Sequence, residues 1–209
     1  MISDLNKQRF EYIWHLYNED ITDKDLPFSE HKSCDEKVWK FPKALERYHD
    51  IVFDTMPEAF RDKNILDIGC GTAWYLGCME NVVKHYTGLD QDDRNIRYAE
   101  IMSKNVTVNS SIVSQSIETH ECKTDTILML SVTQELNDVE KILQKFDSEY
   151  LVMDSWETFY GKKLDDHIAI LADKGYELKH KTEWGNPPKQ NKKRFVLHFH
   201  RHTTQSAVI

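Results

Sequence analysis

The residues best suited to chemistry form a short run of glycines and an acidic side chain, Asp67-Ile68-Gly69-Cys70-Gly71-Thr72. The first three residues of this run are also the last three of an apolar stretch, NILDIG, that is typical of a buried parallel strand. Glycines after such a strand permit a tight turn and let backbone N–H groups approach a ligand closely. A second carboxylate, Asp90, comes 23 positions after Asp67 at the end of the next strand-like run, HYTGLD. A carboxylate there suits hydrogen bonds from ribose hydroxyls, so the two motifs together predict a nucleoside-binding site.

Trp74 stands where a dinucleotide-binding turn needs its third glycine. That glycine lets the helix and the strand pack closely beside a pyrophosphate, and an indole side chain would prevent this. The sequence therefore argues against NAD and FAD and favours a ligand with a ribose and no diphosphate.

The elements around this turn alternate between strand and helix. Apolar runs predict strands at residues 64–69, 85–90, 106–110, 125–130 and 149–154. Helical spacing and capping residues predict helices at residues 73–79, after Asp92, after Asn137 or Asp138, and through Leu164, Ile168 and Leu171. Two last strand-like runs, 175–184 and 193–200, predict an antiparallel hairpin. Repeated strand–helix units predict a parallel sheet with helices on both faces, because each crossover is right-handed.

Two helices are predicted ahead of these units. Phe10, Ile13, Trp14 and Tyr17 follow the i, i+3, i+4, i+7 spacing of one apolar stripe, and we assign Trp14 and Tyr17 to the core. The polar stretch 21–40 is predicted to be a loop, and a second helix is predicted from about residue 42 to 55.

With these motifs in this order, the chain resembles the class I S-adenosylmethionine (SAM)-dependent methyltransferases. ILDIGCGTAWYL resembles their first motif, TGLDQ their second-strand acid, SQSIE the segment that cups the adenine, and DTILMLSVTQELND their fourth-strand motif. The resemblance implies an α/β Rossmann-like methyltransferase fold, with a mostly parallel seven-stranded sheet, an antiparallel last strand and N-terminal helices. It divides the chain into an N-terminal helical cap segment (1–60), a SAM-binding methyltransferase domain (61–202) and a flexible tail (203–209).

The resemblance also implies which residues bind SAM as the cofactor. Gly69 and Gly71 would approach its methionine part together with Cys70 between them, and Asp67 would support the loop. Asp90 would hold the ribose. The other implied contacts are Gln91 along the adenine, Ser116 and Ile117 at the adenine edge, and Leu130, Ser131 and Val132 on the methionine side.

Methyl transfer mainly requires that the acceptor atom and the methyl group be aligned, because the sulfonium of SAM is already a strong electrophile. A base is needed only if the acceptor must lose a proton. Many relatives carry histidine at the position of Gln134, so we take Glu135 and Tyr160 as the candidate catalytic residues, with a surface glutamate and a packed tyrosine as the alternative. Aromatic rings can line an acceptor pocket and face a cation. On that basis the predicted substrate-binding residues are Trp39, Tyr48 and Trp156, with Trp74 also near the expected mouth.

The acidic balance of the chain bears on the acceptor. The formal net charge is −8, whereas proteins that grip nucleic acid through its phosphates need a basic surface. One basic run, within residues 189–194, is better explained as a solvated hairpin turn. We therefore predict methylation of a small molecule, with an acid or a hydroxylated metabolite as the classes considered. The alternatives are a methyltransferase acting on RNA, DNA or a protein side chain, and a SAM-binding protein without transfer activity.

Composition favours a cytoplasmic protein that binds no metal and no membrane. No apolar stretch approaches the roughly 20 residues of a membrane helix, and the four cysteines form no CxxC pair. His198, His200 and His202 alternate along one strand-like run, without a fourth ligand at a spacing typical of metal sites. The sequence NPPK at residues 186–189 lies in the final hairpin and not after the fourth strand, where nucleic-acid amino-methyltransferases carry their similar motif.

Overall fold

The computed structural model describes residues 2–18, 43–133, 136, 138–159, 162–184 and 193–202. Five α-helices lie in these ranges: α1 (Asp4–Asn18), α2 (Lys43–His49), α3 (Asp93–Lys104), α4 (Val139–Lys145) and α5 (Leu164–Asp173). A π-helical turn, Asp50–Asp54, extends α2, and 3-10 helices span Pro57–Ala59 and Trp74–Met79. None of the described helices is both long enough and apolar enough to cross a membrane. The predicted loop at 21–40, the turn at 185–192 and the tail at 203–209 fall outside the described residues.

A seven-stranded sheet forms the centre of the fold. Its strands are β1 (Asn64–Ile68), β2 (His85–Asp90), β3 (Ser110–Ser114), β4 (Thr126–Met129), β5 (Tyr150–Trp156), β6 (Tyr176–Glu183) and β7 (Arg194–Arg201). They lie in the order β3-β2-β1-β4-β5-β7-β6. The first five are parallel, and β7 runs antiparallel to both of its neighbours. This arrangement confirms the predicted mostly parallel sheet with an antiparallel last strand.

The third strand was predicted four residues too early. The predicted strand was 106–110, whereas the observed strand is Ser110–Ser114, which pairs with β2 from Tyr86 to Asp90. Val106 and Val108, whose alternation suggested a strand, instead pack against the core from the preceding connection. Register at a sheet edge depends on pairing with the neighbouring strand, which a local apolar pattern does not determine.

The helical segment after β1 is a 3-10 helix, Trp74–Met79, and begins one residue later than predicted. Ala73 precedes it in a left-handed conformation, with φ of 53°. Asn6 of α1 donates its side-chain amide to the carbonyl of Gly77 at 2.8 Å. A Cβ at Gly77 would lie 2.6 Å from the Asn6 side-chain oxygen, so the glycine lets α1 approach closely.

The N-terminal helices pack into the same core as the sheet. Tyr12, Ile13 and Leu16 of α1 share one buried cluster with Tyr48 of α2 and with residues of β1, α3 and β5. Arg9 on α1 pairs with Glu80 at an N–O distance of 2.5 Å. A second buried cluster contains residues of α4 and α5. The division of the chain at residue 60 stays a prediction.

Replacing Leu16 with alanine should lower the free energy of unfolding by about 2–5 kcal/mol, because its side chain is 1% exposed and truncation leaves a cavity. Leu5→Ala on the same helix is the matched control, since Leu5 is 46% exposed, and should change stability by less than about 0.5 kcal/mol. Urea denaturation of both variants measures the difference. Equal losses would mean that α1 does not contribute to the core.

Candidate functional site

The site lies at the carboxyl edge of the sheet, where strand order reverses. From β1 the chain builds β2 and β3 on one side, and then β4 and β5 on the other. The connections that leave β1 and β4 therefore diverge and open a crevice between them, which is where open α/β sheets bind ligands. Residues 69–71 follow β1, and Leu130 and Ser131 follow β4, so both segments border this crevice.

The turn after β1 has the geometry that its glycines predict. Gly69 and Gly71 have φ of 68° and 55°, in the left-handed region. The N–H groups of Gly69 and Cys70 both donate to the carbonyl of Leu89, at 2.8 and 3.0 Å. A Cβ at Gly69 would lie 2.4 Å from Cγ2 of Val132, so the turn packs directly against the segment after β4. A Cβ at Gly71 would have no atom within 4 Å.

Asp90 joins the glycine turn to the end of β2. Its Oδ2 accepts a hydrogen bond from the Gly71 N–H at 2.9 Å, and its Oδ1 accepts one from the Asp92 N–H at 2.9 Å. Asn95 donates a longer bond, of 3.3 Å, to Oδ2. A carboxylate has about four acceptor positions. These partners use three of them, so the carboxylate has capacity for a ligand hydroxyl.

A first cleft, of about 270 Å³, opens at the ends of β1 to β4. Nine of the residues implied by the resemblance line it: Gly69, Gly71, Asp90, Gln91, Ser116, Ile117, Leu130, Ser131 and Val132. The cleft is also lined by residues that were not predicted as contacts, among them Asn95, Gln115, Glu118 and Leu136. Glu118 supplies an acid two residues beyond Ser116. Its presence within SQSIE was the signal that could have identified it.

A second cleft, of about 320 Å³, adjoins the first and shares Gly69, Gly71, Asn95, Leu130 and Ser131 with it. Its other described lining residues are Trp14, Tyr17, Tyr48, Asp67, Cys70, Thr72, Trp74, Tyr75 and Trp184. Asp67 and Cys70, implied as cofactor contacts, border this cleft and not the first. Tyr48, predicted to bind substrate, lies here. Trp14 and Tyr17 were assigned to the core alone; they pack against it and also face this cleft.

Asp67 is a buried carboxyl group beneath the glycine turn, 3% exposed. The hydroxyl of Tyr86 donates a hydrogen bond to its Oδ2 at 2.7 Å. Burial raises the pKa of Asp67 from 3.8 to about 7, the Tyr86 hydrogen bond works against that rise, and the nearby charge of Asp90 adds to it. Asp67 is thus poised to change charge near neutral pH.

A buried polar network lies beside the second cleft, centred on Asp154 of β5. The Asp154 carboxylate accepts hydrogen bonds from the Tyr48 hydroxyl, from the Ser131 N–H at 2.8 Å and from Arg194 Nη2 at 2.5 Å. Arg194 Nη2 also donates to the Ser131 hydroxyl at 2.7 Å. Burial, and then Asp154, raise the pKa of Tyr48 well above its ordinary value. Tyr48 therefore remains a neutral phenol and is no candidate base.

Four sequence predictions are not placed in either cleft. Trp39, Glu135 and Tyr160 lie outside the described residues, as does Gln134. Trp156 is described; its ring lies 5.5 Å from the Arg194 guanidinium, but it is not among the residues that line the two clefts. Among the described residues, no group of three or more His, Cys, Asp or Glu side chains is arranged to hold a metal ion. His198 contacts the carbonyl oxygen of Val52 at 3.0 Å.

Comparison with known proteins gives a family and a set of structural neighbours. A family model described as a methyltransferase domain matches residues 41–151, more than half of the chain. The magnesium protoporphyrin IX methyltransferase ChlM from Synechocystis PCC 6803 with bound S-adenosylhomocysteine (SAH) superposes with a TM-score of 0.63 at 15% identity, covering 93% of this chain and 97% of that chain. The N-methyltransferase NodS from Bradyrhizobium japonicum WM9 with SAH gives a TM-score of 0.63 at 14% identity, covering 81% of this chain and 94% of that chain.

The fold by itself does not define the reaction. The [4+2]-cyclase SpnF superposes with a TM-score of 0.62 at 10% identity, covering 93% of this chain and 96% of that chain. A comparison with curated protein sequences finds no match. The assignment of function therefore depends on the family match and on the residues of the site.

Alanine at either glycine of the turn should destabilise the protein, but Gly69→Ala more than Gly71→Ala. Both substitutions place a side chain in the left-handed region, at a cost of roughly 1–2 kcal/mol. Gly69→Ala adds an overlap with Val132 of roughly 1–3 kcal/mol. Denaturant unfolding of Gly69→Ala, Gly71→Ala, Val132→Gly and the double variant Gly69→Ala/Val132→Gly tests this. Glycine replaces Val132 because an added Cβ at Gly69 also lies 2.7 Å from the Val132 Cβ, which alanine would keep. The double variant should lose less stability than the sum of the two single losses, and additive losses would show that the overlap is unimportant.

Asp67 should make the protein less stable as the pH rises from about 4 to about 7. Its folded-state pKa of about 7 exceeds its unfolded value of 3.8, so the unfolded chain loses the proton first. The stabilisation is complete below the unfolded pKa and is lost as the pH approaches the folded pKa, by up to roughly 4 kcal/mol. Unfolding free energies of the wild type and Asp67→Asn across this range measure the effect. A constant difference between the two proteins would contradict it.

Proposed function

We propose that this chain, which belongs to the methyltransferase-domain family and is a SAM-dependent methyltransferase, binds SAM in the first cleft and methylates a small molecule held in the second. The observation that carries this proposal is the shared border of the two clefts. Gly69, Gly71, Leu130 and Ser131 line both, so a donor in one cleft and an acceptor in the other meet at the glycine turn.

The residues of the first cleft fit a nucleoside with a charged amino-acid chain. Asp90 accepts three hydrogen bonds from the protein and has about one acceptor position left, which supports its role as the partner of a ribose hydroxyl. Ile117 offers an apolar face, while Ser116 and the exposed Glu118 offer polar atoms to the edge of a base. The Gly71 position opens into free space, so backbone can approach the ligand there. When bound, SAM supplies a methyl group on a sulfonium, which needs no further activation.

The second cleft supports a small acceptor in preference to a macromolecule. It is a pocket of about 320 Å³, near the lower end of the range for small-molecule sites. Its wall includes residues of α1 and α2, which pack into the core beside the sheet. The net charge of −8 disfavours a nucleic-acid acceptor. One structural neighbour is named for a small molecule, magnesium protoporphyrin IX, and this adds support.

The protein's contribution to the transfer is mainly alignment. The glycine turn and the segment after β4 hold the reacting groups together at the border of the clefts, which supplies much of the rate for a reaction with a strong electrophile. Glu135 and Tyr160 stay predicted catalytic residues, and Trp39 and Trp156 stay predicted substrate contacts. The cytoplasmic location likewise stays a prediction.

Calorimetric titration with SAM and SAH tests the donor site. We expect binding to the wild type and a loss of about tenfold to a hundredfold in Asp90→Ala, because a hydrogen bond to a charged group is removed. Asp173→Ala, which removes an exposed carboxylate at the end of α5, is the matched control and should bind as the wild type does.

Circular dichroism and thermal melting of each variant establish that it is folded, which matters because Asp90 also anchors the Gly71 turn. Folded wild-type protein that binds neither SAM nor SAH would overturn the proposed function. Equal affinities of the wild type and folded Asp90→Ala would remove Asp90 from the site.

A further inference from the structure

Aromatic rings from several separate elements form much of the wall of the second cleft. Trp14 lies on α1, Tyr48 on α2, Trp74 and Tyr75 on the 3-10 helix after the glycine turn, and Trp184 directly after β6. The rings of Tyr48 and Trp184 have centroids 4.3 Å apart, and those of Trp74 and Tyr75 are 3.6 Å apart. Such a wall offers electron-rich ring faces to a ligand in the cleft, whereas the ring edges are electropositive.

The charge of this wall favours a cation. Among its described residues Asp67 is the one carboxyl group, and none is Lys, Arg or His. Ring faces attract ammonium groups and offer little to carboxylates, which need positive or N–H partners. The negative charge of the whole chain also attracts cations at longer range.

Arg194 does not change this balance. Its guanidinium lies 4.9 Å from the Trp184 ring centroid and 6.0 Å from that of Tyr48, so it already uses a face of each ring, but Arg194 is not among the residues that line the cleft. It is paired with the buried carboxylate of Asp154 at 2.5 Å, so its charge is offset by that carboxylate. Tyr17 also lines the cleft, yet the Arg94 guanidinium lies 4.2 Å over its ring and already uses that face. This arrangement shows that the protein itself pairs a cation with an aromatic side chain at this position.

On the basis of the proposed function, we propose that the second cleft binds a small amine as its ammonium form among the aromatic rings. The methyl group is then transferred to the nitrogen of this amine. The ammonium first releases a proton to water. The nitrogen lone pair then forms the N–CH₃ bond as the S–CH₃ bond breaks and its electron pair stays on sulfur. The products are SAH and a methylammonium ion, which keeps the positive charge that the rings stabilise. A carboxylic-acid acceptor, one of the two classes that the sequence suggested, would find no Lys, Arg or His among the described lining residues.

Three probes of one shape separate the effect of charge from that of size: phenethylamine, 2-phenylethanol and phenylacetate, which are cationic, neutral and anionic at neutral pH. Each is titrated by calorimetry into protein saturated with SAH, whose own binding is measured first. We expect phenethylamine to bind at least about tenfold more tightly than either analogue, which is the scale of one or two cation–π contacts. When SAM replaces SAH, we expect more SAH to be formed with phenethylamine than with phenylacetate.

Variants at Trp184 test the role of the rings. Trp184→Leu should reduce the preference for the amine by about fivefold or more, whereas Trp184→Phe, which keeps a ring, should retain most of it. Phe195→Leu is the control, because Phe195 packs against the other core cluster of the sheet and is not a lining residue. Trp74→Leu provides a second test if Trp184→Leu does not fold.

Each outcome is decisive. No SAH binding would overturn the proposed function together with this inference. SAH binding without a preference for phenethylamine, or with none of the probes bound, would overturn the amine acceptor and leave the SAM site standing. If Trp184→Leu weakened the binding of SAM relative to SAH and left amine binding unchanged, the rings would face the sulfonium. That result would also overturn the proposal.

Discussion

The hydrogen bond from the Gly71 N–H to the Asp90 carboxylate joins the turn after β1 to the end of β2. On its other side, the turn packs against Val132 so closely that Gly69 has no room for a side chain. The turn is therefore fixed from two directions in a left-handed conformation that glycine adopts at little cost. Both clefts take their shared border from it, so the relative position of a donor and an acceptor depends on this constraint.

A second constraint comes from Asp154, a carboxylate with no exposed surface. A buried charge is costly unless it is paired and hydrogen-bonded. Its partners come from α2, from the segment after β4 and from β7, so satisfying one carboxylate fixes three parts of the chain. One of these partners is Ser131, a non-glycine residue with φ of 62° that borders both clefts. The Asp154 bond to its N–H helps to hold this strained backbone.

The N-terminal helices belong to the site because they belong to the core. Tyr12, Ile13 and Leu16 anchor α1 in the main buried cluster, and Trp14, on the same helix, reaches the second cleft. Tyr48 has both roles, since its ring lines the cleft while its hydroxyl bonds Asp154. Rings supported in this way lose little conformational freedom when they contact a ligand, which favours binding. The aromatic wall is consequently a property of the packed fold and not of any one segment.

The sequence by itself determined the parts of this protein that depend on local patterns. The strand–helix alternation predicted the sheet, and DIGCG with Asp90 predicted the first cleft, because glycine turns and strand-end carboxylates recur at fixed chain positions. The start of β3 was misplaced because pairing with β2, a nonlocal interaction, sets its register. Trp184 and Arg194 were not recognised, since they reach the site only when β6 and β7 add to the far side of the sheet. Tertiary structure alone decided which aromatic residues share a cleft and which carboxylate is buried, because distant segments acquire a common environment only when they pack together.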